Sequence, residues 1–350
     1  MHPTLILKTG ALGDVLRTTS ILAGLKSRDP DAAIVWVTAR AARELVERHP
    51  LVDEVHCADP DSEAELEALG NELAGTRFGR VLSFDDEEGM CALASRLDAA
   101  SLSGAHLTES GARAYTEDVG PWFDMGLLSV HGKEAADRMK VENERTHPEI
   151  FADMLGIEMG RPELPISPEA EAFAERFARE RELAGSEYVI GLNTGAGGRW
   201  RTKELPVDRT VELVRLIDRH LGGRATFLVL GGPPEAERGA AIIAGVRALE
   251  DAPRIVDGGT KNSIQEFAAL VSLCSLLVVS DSLALHIGVA RCVRLVTFFA
   301  PTSAAEIELY GLGEKIWSTA PDYCSYSRDA DNSTITPERL MEAVKRVLPG

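Results

Sequence analysis

Cysteine is scarce in this chain, and the cysteines show no paired spacing. There are five of them, an odd number, and no C-x-x-C pair occurs. This pattern argues against a disulfide framework and against a zinc site built from cysteines. It is typical of proteins in a reducing cytoplasm. The five positions are Cys57, Cys91, Cys274, Cys292 and Cys324.

Long apolar runs and a secretion signal are also missing. No apolar run reaches the roughly 18–20 residues that a transmembrane helix needs. The first residues do not combine a basic segment, an apolar core and a cleavage site, so they do not resemble a signal peptide. We therefore expect a cytoplasmic protein with no integral membrane segment.

Positive charge is in short supply. The chain has 37 lysines and arginines against 55 acidic residues, a net charge of -18. Residues 1–180 carry 34 acidic and 18 basic side chains, whereas residues 181–350 carry 21 and 19. Nucleic-acid binding needs a basic surface and is not expected, and an anionic membrane surface is disfavoured. The simplest interpretation of the negative charge is that it keeps the protein soluble. The acidic first half would also repel an anionic partner and tolerate a neutral or cationic one.

Several motifs with a known chemistry are absent. The dinucleotide fingerprint G-x-G-x-x-G and the nucleophile elbow G-x-S-x-G do not occur. No acidic pair indicates a required metal ion, and the run Asp85–Glu88 is interpreted as a solvated loop. We expect no cofactor and no obligatory metal.

The chain does contain two series of short apolar runs that alternate with amphipathic segments. This alternation predicts an α/β fold with parallel, doubly wound sheets. Residues 109–145 interrupt it and are expected to be irregular. The proline-rich segment 160–165 resembles a linker, and two consecutive Rossmann-like halves predict a ligand cleft between them. The predicted strands are Thr4–Leu7, Ala33–Val37, Glu54–Cys57, Val81–Phe84, Ser101–Ala105, Tyr188–Asn193, Ala225–Leu230, Arg254–Asp257, Leu276–Ser280 and Arg294–Phe298.

The first strand ends in a turn of small residues that leads to an acid. Thr9, Gly10 and Gly13 form the turn, and a helical pattern begins at Asp14. Ligands of open α/β sheets bind at this edge. Asp14 can therefore be a general base beside an anion-accepting helix start. Alternatively, it only caps the helix.

A second turn combines glycines with cations. It follows the strand Tyr188–Asn193 and precedes a helix that starts near Pro206. Backbone N–H groups of such a turn can hold phosphate oxygens, and the cations can neutralise a diphosphate. The alternative is a flexible, solvated basic loop. The residues concerned are Thr194, Gly195, Ala196, Arg199, Arg201 and Lys203.

Two further strand ends carry polar side chains. Glu235 opens a helix and can accept ribose hydroxyls, as acids do in nucleotide sites, or it can simply complement the helix dipole. Asp281 and Ser282 follow a strongly apolar strand, and His286 lies about one turn into the next helix. A single histidine on a mostly apolar helix is often structural.

Together these segments resemble glycosyltransferase family 9, the ADP-heptose heptosyltransferases. The resemblance covers nearly the whole chain and depends on KTGALGD at Lys8–Asp14, NTGAG at Asn193–Gly197 with Lys203–Pro206, and VVSDSLALH at Val278–His286. Phe298–Thr302 follows in the same order. The resemblance implies the GT-B architecture: an acceptor-binding domain at 1–165, a donor-binding domain at 166–336 and a C-terminal helix at 337–350. Whether that helix crosses back to the first domain is left open.

The resemblance also implies roles for individual residues. Asp14 aligns with the family's base and Lys203 with its diphosphate lysine. Thr194 and Ser282 align with phosphate-binding hydroxyls, and Asp281 with an acid that contacts the sugar. The remaining implied contacts to the donor are His286 as the motif histidine, Glu235 at the ribose, and Asn262 in the adenine-contacting loop Gly259–Ser263.

The implied activity is the inverting transfer of a heptose from ADP-heptose to an acceptor hydroxyl of a lipopolysaccharide core or another glycoconjugate. If the acceptor is lipid-linked, the protein would work at the inner membrane surface. Leu283 stands where the family usually has glycine, which leaves the donor sugar open. The acidic first half favours a small neutral or cationic acceptor as an alternative. The chain could also use a different nucleotide sugar, act as an epimerase of this fold, or bind a nucleotide sugar without catalysis.

Overall fold

The computed structural model describes residues 2–198 and 200–349. The chain forms two compact units, residues 1–165 and 166–350. Within the described residues, no helix has both the length and the apolar composition required to span a bilayer.

The first unit is a six-stranded sheet flanked by helices. Its strands lie in the order β3-β2-β1-β4-β5-β6; β1 to β5 are parallel, and β6 is antiparallel to β5. The strands are β1 Thr4–Leu7, β2 Ile34–Thr38, β3 Glu54–Cys57, β4 Arg80–Ser83, β5 Leu102–Leu107 and β6 Arg113–Tyr115. The helices are α1 Leu12–Thr18, α2 Leu22–Arg28, α3 Glu63–Leu73, α4 Glu88–Arg96, α5 Gly120–Phe123, α6 Lys133–Glu142 and α7 His147–Leu155, with 3-10 turns at Thr19–Ile21, Arg40–Leu45 and Glu117–Val119.

The second unit repeats this plan with an entirely parallel sheet. Its strand order is β12-β11-β10-β7-β8-β9. The strands are β7 Tyr188–Asn193, β8 Ala225–Val229, β9 Arg254–Asp257, β10 Leu276–Ser280, β11 Leu295–Phe299 and β12 Gly313–Trp317. The helices are α8 Pro168–Glu180, α9 Val207–His220, α10 Ala236–Arg247, α11 Ile264–Val271, α12 Leu283–Ala290 and α13 Pro337–Val347, with 3-10 turns at Leu183–Gly185, Arg201–Lys203 and Pro233–Glu235.

The central strands form because their residues are apolar on both faces. All residues of β2, β8, β10 and β11 are buried, as expected where helices cover both sides of a parallel sheet. The prediction of an α/β fold with two Rossmann-like units is confirmed. In each sheet the order reverses next to the first strand of the unit, between β1 and β4 and between β7 and β10. Such a reversal is where open α/β sheets bind ligands.

Three expectations about the elements need correction or completion. Residues 109–145 are not irregular throughout, because they contain β6, α5 and α6. The helical pattern that begins at Asp14 is interrupted by the 3-10 turn Thr19–Ile21, which separates α1 from α2. Helix α13 packs against α9 and the second sheet, and its Leu340 and Val344 join the core of the second unit.

Candidate functional site

In the first unit, the turn between β1 and α1 presents Asp14. The strand ends at Leu7 and the helix begins at Leu12, with a cis peptide bond between Gly10 and Ala11. Asp14 lies in the first turn of α1, where the helix dipole favours a negative charge. A β-carbon added at Gly10 would meet no atom within 4 Å, so the space beside the turn is open.

The buried carboxylate of Asp85 holds this turn in place. Asp85 directly follows Phe84 at the end of β4, the strand that pairs with β1, and only 4% of its surface is exposed. It accepts hydrogen bonds from the backbone N–H and the hydroxyl of Thr9, and it forms an ion pair with Lys8. The interpretation of Asp85 as part of a solvated loop was therefore wrong.

Two cations act on Asp14. Arg17 Nη2 lies 2.8 Å from Asp14 Oδ1. Burial alone would lower the pKa of Lys8, but the nearby carboxylates of Asp85 and Asp14 outweigh it and raise that pKa above its usual value. Lys8 is therefore a cation at neutral pH, and Asp14 stands in a locally positive environment within an acidic unit.

In the second unit, the loop after β7 carries most of the predicted donor residues. Thr194 and Gly195 are buried, whereas Ala196 is partly exposed. Gly197 and Gly198 have φ angles of 66° and 75°, a conformation that glycine adopts without strain. Arg199 lies outside the described residues.

Lys203 forms the centre of a charged cluster at the point where the sheet order reverses. Its Nζ lies 2.7 Å from Asp281 Oδ2, and Thr302 donates a hydrogen bond of 2.7 Å to the same oxygen. Burial tends to raise the pKa of Asp281, but Lys203, Thr302 and His286 outweigh it, and the pKa is lowered. The cluster therefore joins residues from the loops after β7, β10 and β11 and keeps both charges in place.

Thr194 is directed into the unit. Its hydroxyl lies 3.2 Å from the hydroxyl of Thr210 and accepts a hydrogen bond of 3.0 Å from Arg238. Arg238 also donates to the carbonyl of Leu205, and its burial lowers its pKa although Glu204 and Glu235 oppose that shift. This network fixes the path of the loop between Thr194 and Leu205. The phosphate-binding role of Thr194 stays a prediction.

Glu235 connects two glycine turns. Its carboxylate accepts hydrogen bonds from the backbone N–H groups of Gly232, at 2.9 Å, and Gly197, at 3.4 Å. A β-carbon on Gly195 would lie 1.9 Å from Glu235 Oε1, so any larger residue there would displace the Glu235 carboxylate from its present contacts. The observed contacts of Glu235 are thus to backbone N–H groups near the start of a helix, and its ribose contact stays a prediction.

The remaining predicted donor residues lie at neighbouring strand ends. Ser282 stands just before α12 and donates a hydrogen bond of 3.1 Å to Asn193 Oδ1. His286 is 9% exposed and lies on α12. A positive charge on His286 would stabilise the ionised form of Asp281. Asn262 follows β9 and donates to the carbonyls of Gly258 and Gly259. Leu283 is partly exposed at the first position of α12.

The structure thus brings Lys203, Asp281, Ser282 and His286 together around β10, with Gly195 beside Glu235 and Thr194 bound to Arg238. Within the described ranges, no group of three or more histidine, cysteine or acidic side chains is arranged to hold a metal ion.

Sequence reasoning missed three supporting residues: Asp85, Arg238 and Thr302. Asp85 and Thr302 had a detectable signal, because each lies just beyond a strand that neighbours a strand carrying a predicted site residue. Arg238 had none, because its partners are 33 and 44 residues away in sequence.

Comparison with known proteins identifies the family of the chain. The sequence model of glycosyltransferase family 9 (heptosyltransferase) matches residues 124–334. Lipopolysaccharide heptosyltransferase 1 of Escherichia coli strain K12 is 23% identical over 322 residues, which cover 89% of this chain and 92% of that protein.

Two solved structures are similar to the whole chain. A family 9 glycosyltransferase from Veillonella parvula superposes with a TM-score of 0.78 at 22% identity and covers 99% of this chain and 97% of its own. The E. coli heptosyltransferase WaaC, solved with ADP-2-deoxy-2-fluoro heptose, gives 0.59 at 18% identity and covers 98% and 99%. Since the family model spans more than half of the sequence, the chain belongs to glycosyltransferase family 9, the heptosyltransferase family, and is a glycosyltransferase.

Proposed function

We propose that this glycosyltransferase transfers a heptose from ADP-heptose to an acceptor hydroxyl with inversion at the anomeric carbon. The observation that carries the proposal is the Lys203–Asp281–Thr302 cluster, which holds a cation at the strand-order reversal of the second unit. The E. coli relative is named a lipopolysaccharide heptosyltransferase, and WaaC was solved with an ADP-heptose analogue. Both support this choice of donor.

In the proposed reaction, Asp14 removes the proton from the acceptor hydroxyl. The acceptor oxygen forms a bond to the anomeric carbon while the bond between that carbon and the diphosphate oxygen breaks, in a single displacement. The leaving ADP gains negative charge, which Lys203 and the backbone N–H groups of the glycine turn stabilise. Asp281 holds the Lys203 side chain in place until the diphosphate arrives.

We propose that the reaction needs no metal ion, because Lys203 supplies the positive charge at the diphosphate. Turnover should then be unchanged after dialysis against EDTA. A loss that magnesium or manganese restores would contradict this part of the proposal.

Calorimetric titration with ADP, GDP and UDP tests the donor site. ADP should bind selectively, and Lys203→Ala should weaken its binding at least about tenfold, since a charge-assisted contact contributes roughly 1.5–3 kcal/mol. Lys345→Ala on α13 is the matched control, because Lys345 pairs only locally with Glu342. Preference for UDP or GDP would point to another nucleotide sugar, and no binding would contradict the donor site.

Turnover of ADP-heptose tests the base. Asp14→Asn should lower kcat by a factor of about 100 or more while ADP affinity stays nearly unchanged. Unimpaired turnover would contradict the role of Asp14. Binding of ADP-heptose without transfer to any acceptor would instead favour a non-catalytic binding protein.

A specific observation favours a small neutral or cationic acceptor as a second candidate to the lipopolysaccharide core. A groove of about 650 Å³ in the first unit is lined by the first half of α3, the length of α4 and the residues just before each helix. Five carboxylates and one arginine, Arg96, line the groove. The carboxylates belong to Asp61, Glu63, Glu67, Glu87 and Glu88. Transfer to an amino-sugar acceptor but not to a phosphorylated saccharide would support this candidate, and the reverse would support the lipopolysaccharide core.

A further inference from the structure

Arg17 is an unusual partner for a surface carboxylate because it is itself largely enclosed. Its side chain is 13% exposed, whereas that of Asp14 is 37% exposed. The two residues are separated by three positions on α1, and Nη2 lies 2.8 Å from Oδ1. Exposed pairs of this spacing contribute little because both side chains lose freedom and solvent screens them. An arginine that is already fixed does not have that entropic cost.

Contacts from outside α1 fix the guanidinium. Its central carbon lies 5.1 Å from the centre of the Trp122 ring, within cation–π distance. Trp122, on α5, makes edge contacts with His147 at 5.2 Å and with Phe151 at 5.6 Å, both on α7. Phe151 and His147 are buried. The orientation of Arg17 is therefore determined by the packing of α5 and α7.

The second nearby cation is held differently. The ammonium group of Lys8 forms an ion pair with Asp85, and the same carboxylate accepts a hydrogen bond from the Thr9 hydroxyl. Lys8 acts on Asp14 through its charge, whereas Arg17 contacts the Asp14 carboxylate directly. The two cations thus have separate anchors, Asp85 for Lys8 and Trp122 for Arg17.

We propose that Arg17, held in place by Trp122, is a positioning residue that orients the Asp14 carboxylate for proton removal from the acceptor. This inference rests on the proposed role of Asp14 as the base. In this role Arg17 acts through Asp14 and not on the reacting atoms. It keeps one oxygen of Asp14 at a fixed place, and it stabilises the ionised form that a base must have.

The test compares Arg17→Ala, Arg17→Lys and Trp122→Leu. In Arg17→Ala, kcat should fall about 10- to 100-fold, the size expected for a misplaced catalytic group, while ADP affinity stays unchanged. The acid limb of the kcat–pH profile should move up by about one unit, because the carboxylate loses a neighbouring cation. Arg17→Lys should keep the wild-type acid limb and recover part of kcat. Trp122→Leu should lower kcat without moving the acid limb.

The other charged groups around α1 remain in all three variants. They are Lys8 and Asp85 at the ends of β1 and β4, Glu44 on the 3-10 turn that packs against α1, and His147 behind Trp122. A shift of the acid limb in Arg17→Ala alone therefore reports on Arg17. A general loss of folding would lower kcat without this selective shift, and circular dichroism of each variant would detect it.

The outcomes separate this inference from the function it rests on. If Asp14→Asn retains turnover, the base assignment fails. If Asp14→Asn is inactive but Arg17→Ala keeps wild-type kcat and acid limb, the base assignment stands and the positioning role is overturned.

Discussion

At the scale of single residues, Asp85 shows how an acid in a charged run can become part of the interior. The three acids that follow it in the run Asp85–Glu88 reach solvent, but Asp85 lies just beyond the end of β4, the strand that pairs with β1, and forms an ion pair with Lys8 there. Removing one partner of a buried ion pair leaves the other charge uncompensated, which is more costly than never having had the pair.

Asp85→Asn should therefore lower the free energy of unfolding by roughly 3 kcal/mol and also reduce kcat, because the turn that carries Asp14 loses its anchor. Urea unfolding followed by circular dichroism measures the first effect. Asp86→Asn is the control from the same acidic run, and it should change stability by less than about 0.5 kcal/mol. Equal effects of the two substitutions would contradict the anchoring role.

The Lys203–Asp281 pair predicts a pH-dependent effect. Since the pKa of Asp281 is lowered in the folded protein, the pair contributes stability at neutral pH and loses it as pH falls through that pKa. In Lys203→Ala, burial without the lysine should raise the pKa of Asp281, so the variant should be destabilised by roughly 3 kcal/mol at pH 7.

As the pH falls towards about 4, Asp281 of Lys203→Ala takes up a proton, and the difference from the wild type should narrow. Urea titrations at both pH values measure this change, with Lys345→Ala as the variant that should show no difference at either pH. A difference that grows towards acid pH would contradict the direction assigned to Asp281.

At the scale of elements, the glycine turn after β7 depends on the close approach of Glu235. Gly195→Ala would place a methyl group 1.9 Å from Glu235 Oε1, so the side chain that holds Gly197 and Gly232 must move. ADP binding should weaken by about tenfold or more, because a loop displaced by about 1 Å no longer presents its N–H groups correctly.

Calorimetry with ADP measures this effect. Gly185→Ala provides the control within the same unit, because a β-carbon there meets no atom within 4 Å. If Gly195→Ala binds ADP as the wild type does, the turn does not bind the donor.

The sequence was sufficient for the elements whose residues are uniformly apolar. Strands β1, β7 and β10 have the predicted bounds, and nearly all of their residues are buried; the edge strands β3 and β9 also have them, although most of their residues are at least partly exposed. The edge strand β12, with the sequence GEKIW, was not predicted, since only its pairing with β11 makes it a strand. Helix α6 was missed for a similar reason: Ala136 is its one buried residue, so it shows almost no apolar face.

In the candidate site, too, residues with a local sequence signal were predicted, whereas residues that depend on contacts made in the fold were not. Asp14, Lys203 and Asp281 were predicted because each directly follows a strand or a glycine turn. Their supports, Asp85, Arg238 and Thr302, come from distant parts of the chain, and only the folded arrangement brings them into contact.

At the scale of the whole molecule, the unequal charge of the two halves predicts how salt affects the acceptor. The first unit is strongly acidic, and the field of a charged surface reaches about 10 Å at 0.1 M salt. If the acceptor is cationic, its KM should rise severalfold between about 0.05 M and about 0.5 M salt, while the KM of the sugar donor changes less.

An anionic acceptor should show the opposite trend, since salt would screen its repulsion from the acidic unit. Steady-state kinetics in sodium chloride, with a neutral acceptor for reference, distinguishes the cases. An acceptor KM that does not respond to salt would mean that the charge of the first unit serves solubility only.

The place of α13 has a consequence for how the enzyme matures during translation. The first unit has all of its elements by residue 165, so it can fold while the rest of the chain is still being made. The second unit cannot complete its core until Leu340 and Val344 have left the ribosome. The unit that carries Asp14 would then be folded before the unit that carries Lys203. Nucleotide binding would be the last property that a nascent chain acquires.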